Sequence, residues 1–203
     1  MEPNEVLEFR TALLDEVSLN SEVNNEFKHT SFVNVFTEYL SDAGFISDFT
    51  CAHYQRPYKV GRRNARVDGY SENIFEETVT LVIADFYDQP DPTTMTKTDA
   101  MQSFKECMSF VEESFKGTLK AEIDKSDPVY YLYLLLNQGR SKEKIRKVKI
   151  LLISDKVRSA GAKTIDPVEI DGVSIDFGIW TIDRLYENIR DEGETLEISF
   201  ADY

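Results

Sequence analysis

The apolar run at residues 79–87 constrains the fold more than any other feature of the chain. Strand alternation assigns three apolar residues to each face: Val79, Leu81 and Ile83 to one, and Val82, Ala84 and Phe86 to the other. A strand that is apolar on both faces is buried from both sides and lies inside a sheet. The run therefore predicts a central strand in a sheet that is flanked by helices.

Helical and strand patterns alternate around this central strand. Apolar residues at helical spacing predict helices over residues 4–19, 25–43, 94–116, 127–139 and 181–190. Strands are predicted over residues 49–55, 66–71, 79–87, 148–154, 164–170, 173–180 and 195–200. The first three strands are antiparallel, and Asp171-Gly172 marks a later hairpin. The order predicts one α/β (α+β) domain over residues 1–203, with a mixed sheet and an antiparallel hairpin core.

Charge and composition exclude several classes of function. The chain carries 37 acidic and 23 basic residues, a formal charge of −14, which argues against a uniformly cationic nucleic-acid surface. No window approaches the roughly 20 apolar residues of a membrane helix, and the N-terminus lacks signal-peptide features. We therefore predict a cytoplasmic protein with no membrane partner. Two cysteines and two histidines are too few for a disulfide framework or a Cys/His zinc site.

Two short segments carry positive charge against this acidic background. Residues 56–66 hold five basic residues and no acid, and residues 140–149 hold six basic residues and only Glu143 as an acid. Such patches are candidate phosphate contacts, although an exposed loop and a helix end can also be solvated by lysine and arginine without binding anything. The candidate nucleic-acid contacts are Arg56, Lys59, Arg62, Arg63, Arg66, Lys144, Arg146 and Lys147.

Two aspartates are the remaining candidates for chemistry, since the chain has no phosphate-binding glycine loop, dinucleotide fingerprint or zinc-protease helix motif. Asp85 lies in an apolar strand, where a carboxylate needs a partner, a cation or an exposed position. If Asp68 lies opposite Ile83, Asp85 emerges on the same face and the two acids can share Mg²⁺. A register shifted by one residue separates them. Alternatively, Asp68 is structural and caps the hairpin.

The segment FVNVFTEYLSDAGF, followed by RVDGYSENIFEETVTLVIADFYD and a long helix, resembles the N-terminal region of the abortive infection phage resistance (AIPR) family. That region is similar to a PD-(D/E)XK nuclease core, so the resemblance implies a restriction-endonuclease-like sheet. In such a core a helix Glu, a hairpin Asp and an acid-x-Lys pair hold the metal and activate water. Within this pattern VDGY and LVIADFY are the distinctive motifs.

Transferred to this chain, the resemblance gives Asp68 the role of the hairpin acid. Asp85 or Ala84 takes the place of the acid on the next strand. The lysine two positions further on is absent, because Tyr87 or Phe86 stands there. The site that the resemblance implies, with Asp68 and Asp85 as catalytic and metal-binding residues, is therefore incomplete.

The helix acid of the family pattern is missing as well. It falls near residues 33–34, and Glu38, one turn later, lies off the apolar stripe and is expected to be solvated. Loss of both groups removes water activation and charge stabilisation, each worth orders of magnitude in rate. Lys97 or Lys105 substitutes for the lysine only if it points at Asp68.

Three functions follow as hypotheses. The first is a degenerate nuclease-like domain of a phage-defence protein that recognises nucleic acid or a partner and requires no cofactor. The second is an active Mg²⁺-dependent endonuclease that uses Asp68 and Asp85 with a displaced lysine. The third is an acidic protein-interaction or oligomerisation module. Because the family proteins are longer, the chain is expected to be the N-terminal part of a longer protein, with the remainder or a second copy as partner.

Overall fold

A six-stranded mixed sheet runs through the computed structural model, which describes residues 3–57, 60–142, 144–161 and 164–195. The strands are β1 (Thr50–Gln55), β2 (Arg66–Asn73), β3 (Thr78–Asp85), β4 (Thr94–Met95), β5 (Lys147–Ser154), β6 (Val157–Arg158), β7 (Val168–Ile170) and β8 (Val173–Thr181). The helices are α1 (Pro3–Asn24), α2 (Lys28–Asp42), α3 (Lys97–Lys116), α4 (Pro128–Ser141) and α5 (Ile182–Thr195), with a 3-10 helix at Thr118–Ala121. The order in the sheet is β1-β2-β3-β5-β8-β7, while β4 and β6 form a separate parallel pair.

The predicted central strand is confirmed. β3 pairs antiparallel with β2 and parallel with β5, so it has neighbours on both edges. Leu81 and Ile83 belong to a core formed with α3 and α4, whereas Val82 and Ala84 belong to a second core formed with α1, α2 and α5. The mixed α/β architecture and the antiparallel arrangement of β1, β2 and β3 also agree with the prediction.

Helix α3 begins three residues later than predicted. Thr94 and Met95 pair with β6 instead of entering the helix. Thr96 then caps the helix, because its hydroxyl accepts from the Asp99 amide while the Asp99 carboxylate accepts from the Thr96 amide. The helix ends as predicted at Gly117, whose φ of 73° lies in the left-handed region. A helix boundary was misplaced here because two residues of strand pairing preceded the cap.

The C-terminal elements agree in part with the prediction, since β7 begins at Val168 instead of residue 164 and α5 continues to Thr195 instead of ending near residue 190. β7 and β8 form the predicted hairpin around Asp171 and Gly172, and α5 follows directly. Thr195 is the last residue of α5, and the rest of the predicted strand at residues 195–200 lies outside the described residues. Within the described residues, no helix has the length and apolar character needed to cross a membrane.

Candidate functional site

An irregularity in β2 determines the direction in which Asp68 points. Val67 and Tyr70 belong to the same core although they are three residues apart, so the strand alternation breaks between them. Gly69 allows the close approach of Phe49, since a Cβ atom at this position would lie 2.3 Å from the Phe49 Cζ atom. The pairing of β1 with β2 shifts register at the same level. As a result, the Asp68 side chain turns towards α2.

Asp68 is buried and its two carboxylate oxygens have different partners. Oδ2 accepts hydrogen bonds from the Ala84 amide at 2.8 Å and from Arg66 Nη2 at 3.1 Å. Oδ1 lies 2.7 Å from His53 Nδ1 and 3.7 Å from His29 Nε2. One oxygen is thus anchored to the strand and to a guanidinium, and the other faces two imidazoles.

The surroundings of these groups shift their protonation. Burial opposes ionisation of Asp68, but the hydrogen bond with His53 and the charge of Arg66 outweigh burial and lower its pKa below the usual value. Burial also lowers the pKa of His29, which outweighs the attraction of Asp68 for a proton on the ring. At neutral pH the site therefore holds an ionised carboxylate beside a neutral His29 imidazole.

The two imidazoles open onto a groove between α2 and the carboxyl end of β3. Phe27, which precedes α2, offers no side-chain cap to the helix. Phe86 forms one wall and stacks on Phe32, with ring centroids 4.5 Å apart. The groove is lined by Phe27, His29, Thr30, His53, Gln55, Arg66, Ala84, Asp85 and Phe86.

Asp85, the second predicted acid, lines the same groove but has a different partner from Asp68. The described pairing of β2 with β3 ends at Gly69 and Val82, one step before the level of Asp68 and Ile83. Asp68 Oδ1 faces His53 and His29, whereas Asp85 Oδ2 faces Lys156. A Mg²⁺ ion shared by Asp68 and Asp85 stays a prediction.

A lysine outside the candidates predicted from sequence binds Asp85. Lys156, just beyond the end of β5, places its Nζ atom 2.8 Å from Asp85 Oδ2. The two predicted substitutes, Lys97 and Lys105, are exposed on α3, which packs on the other face of the sheet from α2. Glu38 is exposed, as expected, and the residue that α2 brings to the site is His29.

The first basic patch is largely neutralised by acids of α3 and of the segment that follows it. Arg56 differs most from the prediction, because its guanidinium is buried between Glu113 and Glu122 and is not free to bind phosphate. Arg66 is bound to Asp68. The exposed pairs are Arg62 with Glu122 and Arg63 with Glu112. Lys59 lies outside the described residues.

The second basic patch lies at the other end of the sheet. Arg146 binds Glu77 at 2.6 Å, Lys147 binds Asp176 at 3.1 Å, and Lys144 is exposed. The amides of Arg146 and Lys147 donate to the Glu77 carbonyl just before the start of β3. This patch therefore surrounds the amino end of β3.

The two patches do not converge. Arg66 donates to the carbonyl of Ala84, near the carboxyl end of β3, whereas Arg146 contacts Glu77 at its amino end. Seven residues separate these contacts, which at about 3.3 Å per residue is roughly 23 Å. Arg66 and Arg146 therefore lie at opposite ends of β3 and do not contribute to one site.

The count of two histidines set both aside as metal ligands, but the structure brings both of them beside Asp68. Among the described residues, one set of three His, Cys, Asp or Glu side chains has all its ligand atoms within 4.8 Å of one another, and it consists of His29, His53 and Asp68. Counting histidines tests for a Cys/His zinc site but not for a carboxylate partner. The feature that could have revealed the site is the pairing of β1 with β2, because Tyr54 lies opposite Val67 and this brings His53 beside Asp68.

Comparison with known proteins identifies one related family. The model described as abortive infection phage resistance protein N-terminal domain matches residues 32–187. The match contains His53 and Asp68 and begins three residues after His29. No curated protein and no solved structure matches the chain.

Proposed function

The chain belongs to the abortive infection phage resistance family, and on that premise we propose that it recognises nucleic-acid phosphodiesters through a degenerate nuclease-like site. Family membership supports a role in abortive-infection defence against phage. The groove beside Asp68 is the proposed binding site, and binding rather than Mg²⁺-dependent cleavage is its proposed role.

The composition of the groove carries the proposal. The 15-residue helix α2 begins at the groove without a side-chain cap, so its first amides are free to meet an anion. Arg66 and the two imidazoles of His29 and His53 line the same groove and offer further hydrogen-bond donors. Phosphate oxygens are the acceptors that this combination suits.

The degenerate character rests on the residues that occupy the positions of the nuclease pattern. Ala84 donates its backbone amide to Asp68 and has no acidic side chain. Phe86 stands two positions further on and packs against Phe32 instead of supplying a lysine. A site without these groups lacks the means to activate water and to stabilise the developing charge in the way of PD-(D/E)XK enzymes.

Thr30→Glu tests the proposal, because Thr30 lines the groove in the first turn of α2. A carboxylate at this position stabilises the helix through its dipole but repels phosphate, so stability and binding should change in opposite directions. We expect fluorescence anisotropy with short DNA and RNA, in chelator and at low salt, to detect binding that weakens in Thr30→Glu. The salt slope should fall by about one unit for each phosphate that the variant no longer binds.

Thr11→Glu is the matched control, since Thr11 is exposed on α1 and does not line the groove. The control changes the net charge of the protein by the same amount, so it removes the general effect of added negative charge. Absence of binding at low salt, or equal weakening by both substitutions, would contradict the proposal. Either result favours the acidic interaction module.

An active endonuclease is the second candidate, and the contact between Lys156 and Asp85 favours it. Lys156 supplies a cation at the carboxyl end of β3 that the family pattern places on β3 itself. We expect no cleavage of DNA or RNA in Mg²⁺ or Mn²⁺ above that of an Asp68→Ala control. Cleavage that disappears in both Asp68→Ala and Lys156→Ala, but persists in Lys105→Ala on the exposed face of α3, would establish the endonuclease instead.

A further inference from the structure

We infer that His29, His53 and Asp68 form a binding site for a divalent transition metal. This inference rests on the proposed function, since it names the cation held in the same groove. The sequence predicted Mg²⁺ between Asp68 and Asp85, whereas the side chains that the fold assembles are two imidazoles and one carboxylate.

The positions of the three ligand atoms fit a single ion. Two ligands at about 2.0–2.1 Å from a tetrahedral ion are roughly 3.3 Å apart. In the structure Asp68 Oδ1 lies 2.7 Å from His53 Nδ1 and 3.7 Å from His29 Nε2, on either side of that separation. All three ligand atoms lie within 4.8 Å of one another, so side-chain rotations, with the ring proton of His53 moved from Nδ1 to Nε2, would place them around one metal.

The surroundings of Asp68 hold its carboxylate in the orientation that a metal ligand requires. The Ala84 amide and the Arg66 guanidinium both bind Oδ2, which leaves Oδ1 directed at the imidazoles. Such hydrogen bonds to the second oxygen orient metal-binding carboxylates in proteins. The side chains of His29 and His53 are 35% and 49% exposed, so an ion here keeps positions open for water or a phosphate oxygen.

The ligand chemistry selects against Mg²⁺. Imidazole nitrogen suits Zn²⁺ and related transition metals, whereas Mg²⁺ prefers an octahedron of oxygen atoms and keeps several waters. Two nitrogens and one oxygen is also the ligand type of zinc sites that leave a coordination position open. Asp85, the other oxygen donor that the sequence suggested, is bound by Lys156.

The charge balance connects the metal to phosphate recognition. Arg66 offsets the charge of Asp68, and Lys156 offsets that of Asp85. A bound divalent ion therefore supplies the excess positive charge in the groove, on a protein whose formal charge is −14. Metal binding should therefore strengthen the attraction of a phosphodiester to the groove beyond the binding expected in chelator.

Isothermal titration of the untagged chain with ZnCl₂ and MgCl₂ tests the inference. The chain has two histidines and both lie at the site, so His29→Gln and His53→Gln each remove one imidazole ligand and no other histidine can replace it. We expect one Zn²⁺ per chain, weak Mg²⁺ binding, and a loss in Zn²⁺ affinity of at least about tenfold in each variant. The matched control Asp42→Asn should retain Zn²⁺ affinity within about twofold, since it removes an exposed acid at the end of α2 that does not line the groove.

Unchanged Zn²⁺ binding in both histidine variants, or Mg²⁺ binding that is stronger than Zn²⁺ binding and is lost in Asp85→Asn, would overturn the inference. If a variant fails to fold, NMR of the wild-type chain decides, because Zn²⁺ must then shift the ring signals of both histidines. Titration without nucleic acid separates the two proposals. Zn²⁺ binding without nucleic-acid binding refutes only the proposed function, and nucleic-acid binding in chelator without Zn²⁺ binding refutes only the metal site.

Discussion

Replacing Arg56 by methionine should destabilise the fold far more than the same change at Arg63. Arg56 is 4% exposed and binds Glu113 through two nitrogens and Glu122 through a third. Glu122 retains Arg62, but Glu113 loses its cation while it is only 21% exposed. Removing one partner of a buried ion pair costs about 3–5 kcal/mol, and the partial exposure of Glu113 favours the lower end, about 3 kcal/mol.

Urea unfolding and thermal melting measure this cost. At 203 residues, 3 kcal/mol corresponds to a fall in Tm of about 6–12 °C. Arg63→Met is the matched control, because the Arg63 side chain is 75% exposed and its pair with Glu112 should contribute less than about 1 kcal/mol. Adding Glu113→Gln to Arg56→Met should recover part of the loss, since it removes the unpaired charge. Equal destabilisation by Arg56→Met and Arg63→Met would show that the buried Arg56–Glu113 pair contributes no more to stability than an exposed pair.

The Arg56–Glu113 pair should also make the free energy of unfolding depend on pH. The hydrogen bond from Arg56 is the largest influence on Glu113 and lowers its pKa below the ordinary value of 4.5. A lowered folded-state pKa stabilises the protein above the unfolded-state pKa, and the stabilisation is lost as pH falls through the folded-state pKa. The difference in unfolding free energy between wild type and Arg56→Met should therefore be full near pH 7 and shrink below about pH 4.5. A difference that grows on acidification contradicts this assignment.

Two further substitutions test the sheet. Ile83→Asp should abolish cooperative folding, because Ile83 is fully buried in β3. The control Ile74→Asp, in the exposed hairpin, should be tolerated. A cooperative thermal melt of Ile83→Asp, measured by circular dichroism, would show that β3 is not central. Gly69→Ala should lower Tm, because the new Cβ would lie 2.3 Å from a ring atom of Phe49, and adding Phe49→Leu should recover part of the loss. An unchanged Tm in Gly69→Ala would show that the irregularity of β2 does not depend on this contact.

The sheet was predictable because its signals are local. Val82 and Ile83 fall on opposite faces of β3 by simple alternation, and the structure places them in the two cores accordingly. The cap and turn residues of α4, Asp127 and Pro128, also act on their immediate neighbours. The pair β4 and β6 was missed because each strand has only two residues and the pairing spans more than 60 positions.

The site was only partly predictable because it depends on distant contacts. Asp68 was identified from its strand, but His29 comes from a helix 39 residues away, and strand irregularity decides which side Asp68 faces. The two acids that bind Arg56, Glu113 and Glu122, lie 57 and 66 residues further along the chain. Net charge within a short window cannot reveal such partners, and the first basic patch was therefore overestimated.

Anomalous diffraction from crystals soaked in ZnCl₂ would show whether the two imidazoles and Asp68 form the binding site of the groove. We expect a zinc peak bonded to His29 Nε2, His53 Nδ1 and Asp68 Oδ1, with Asp85 still bound to Lys156. Metal–ligand distances of about 2.0–2.2 Å would identify the bonds. A peak between Asp68 and Asp85 away from both imidazoles, or no peak in the groove, would contradict this expectation.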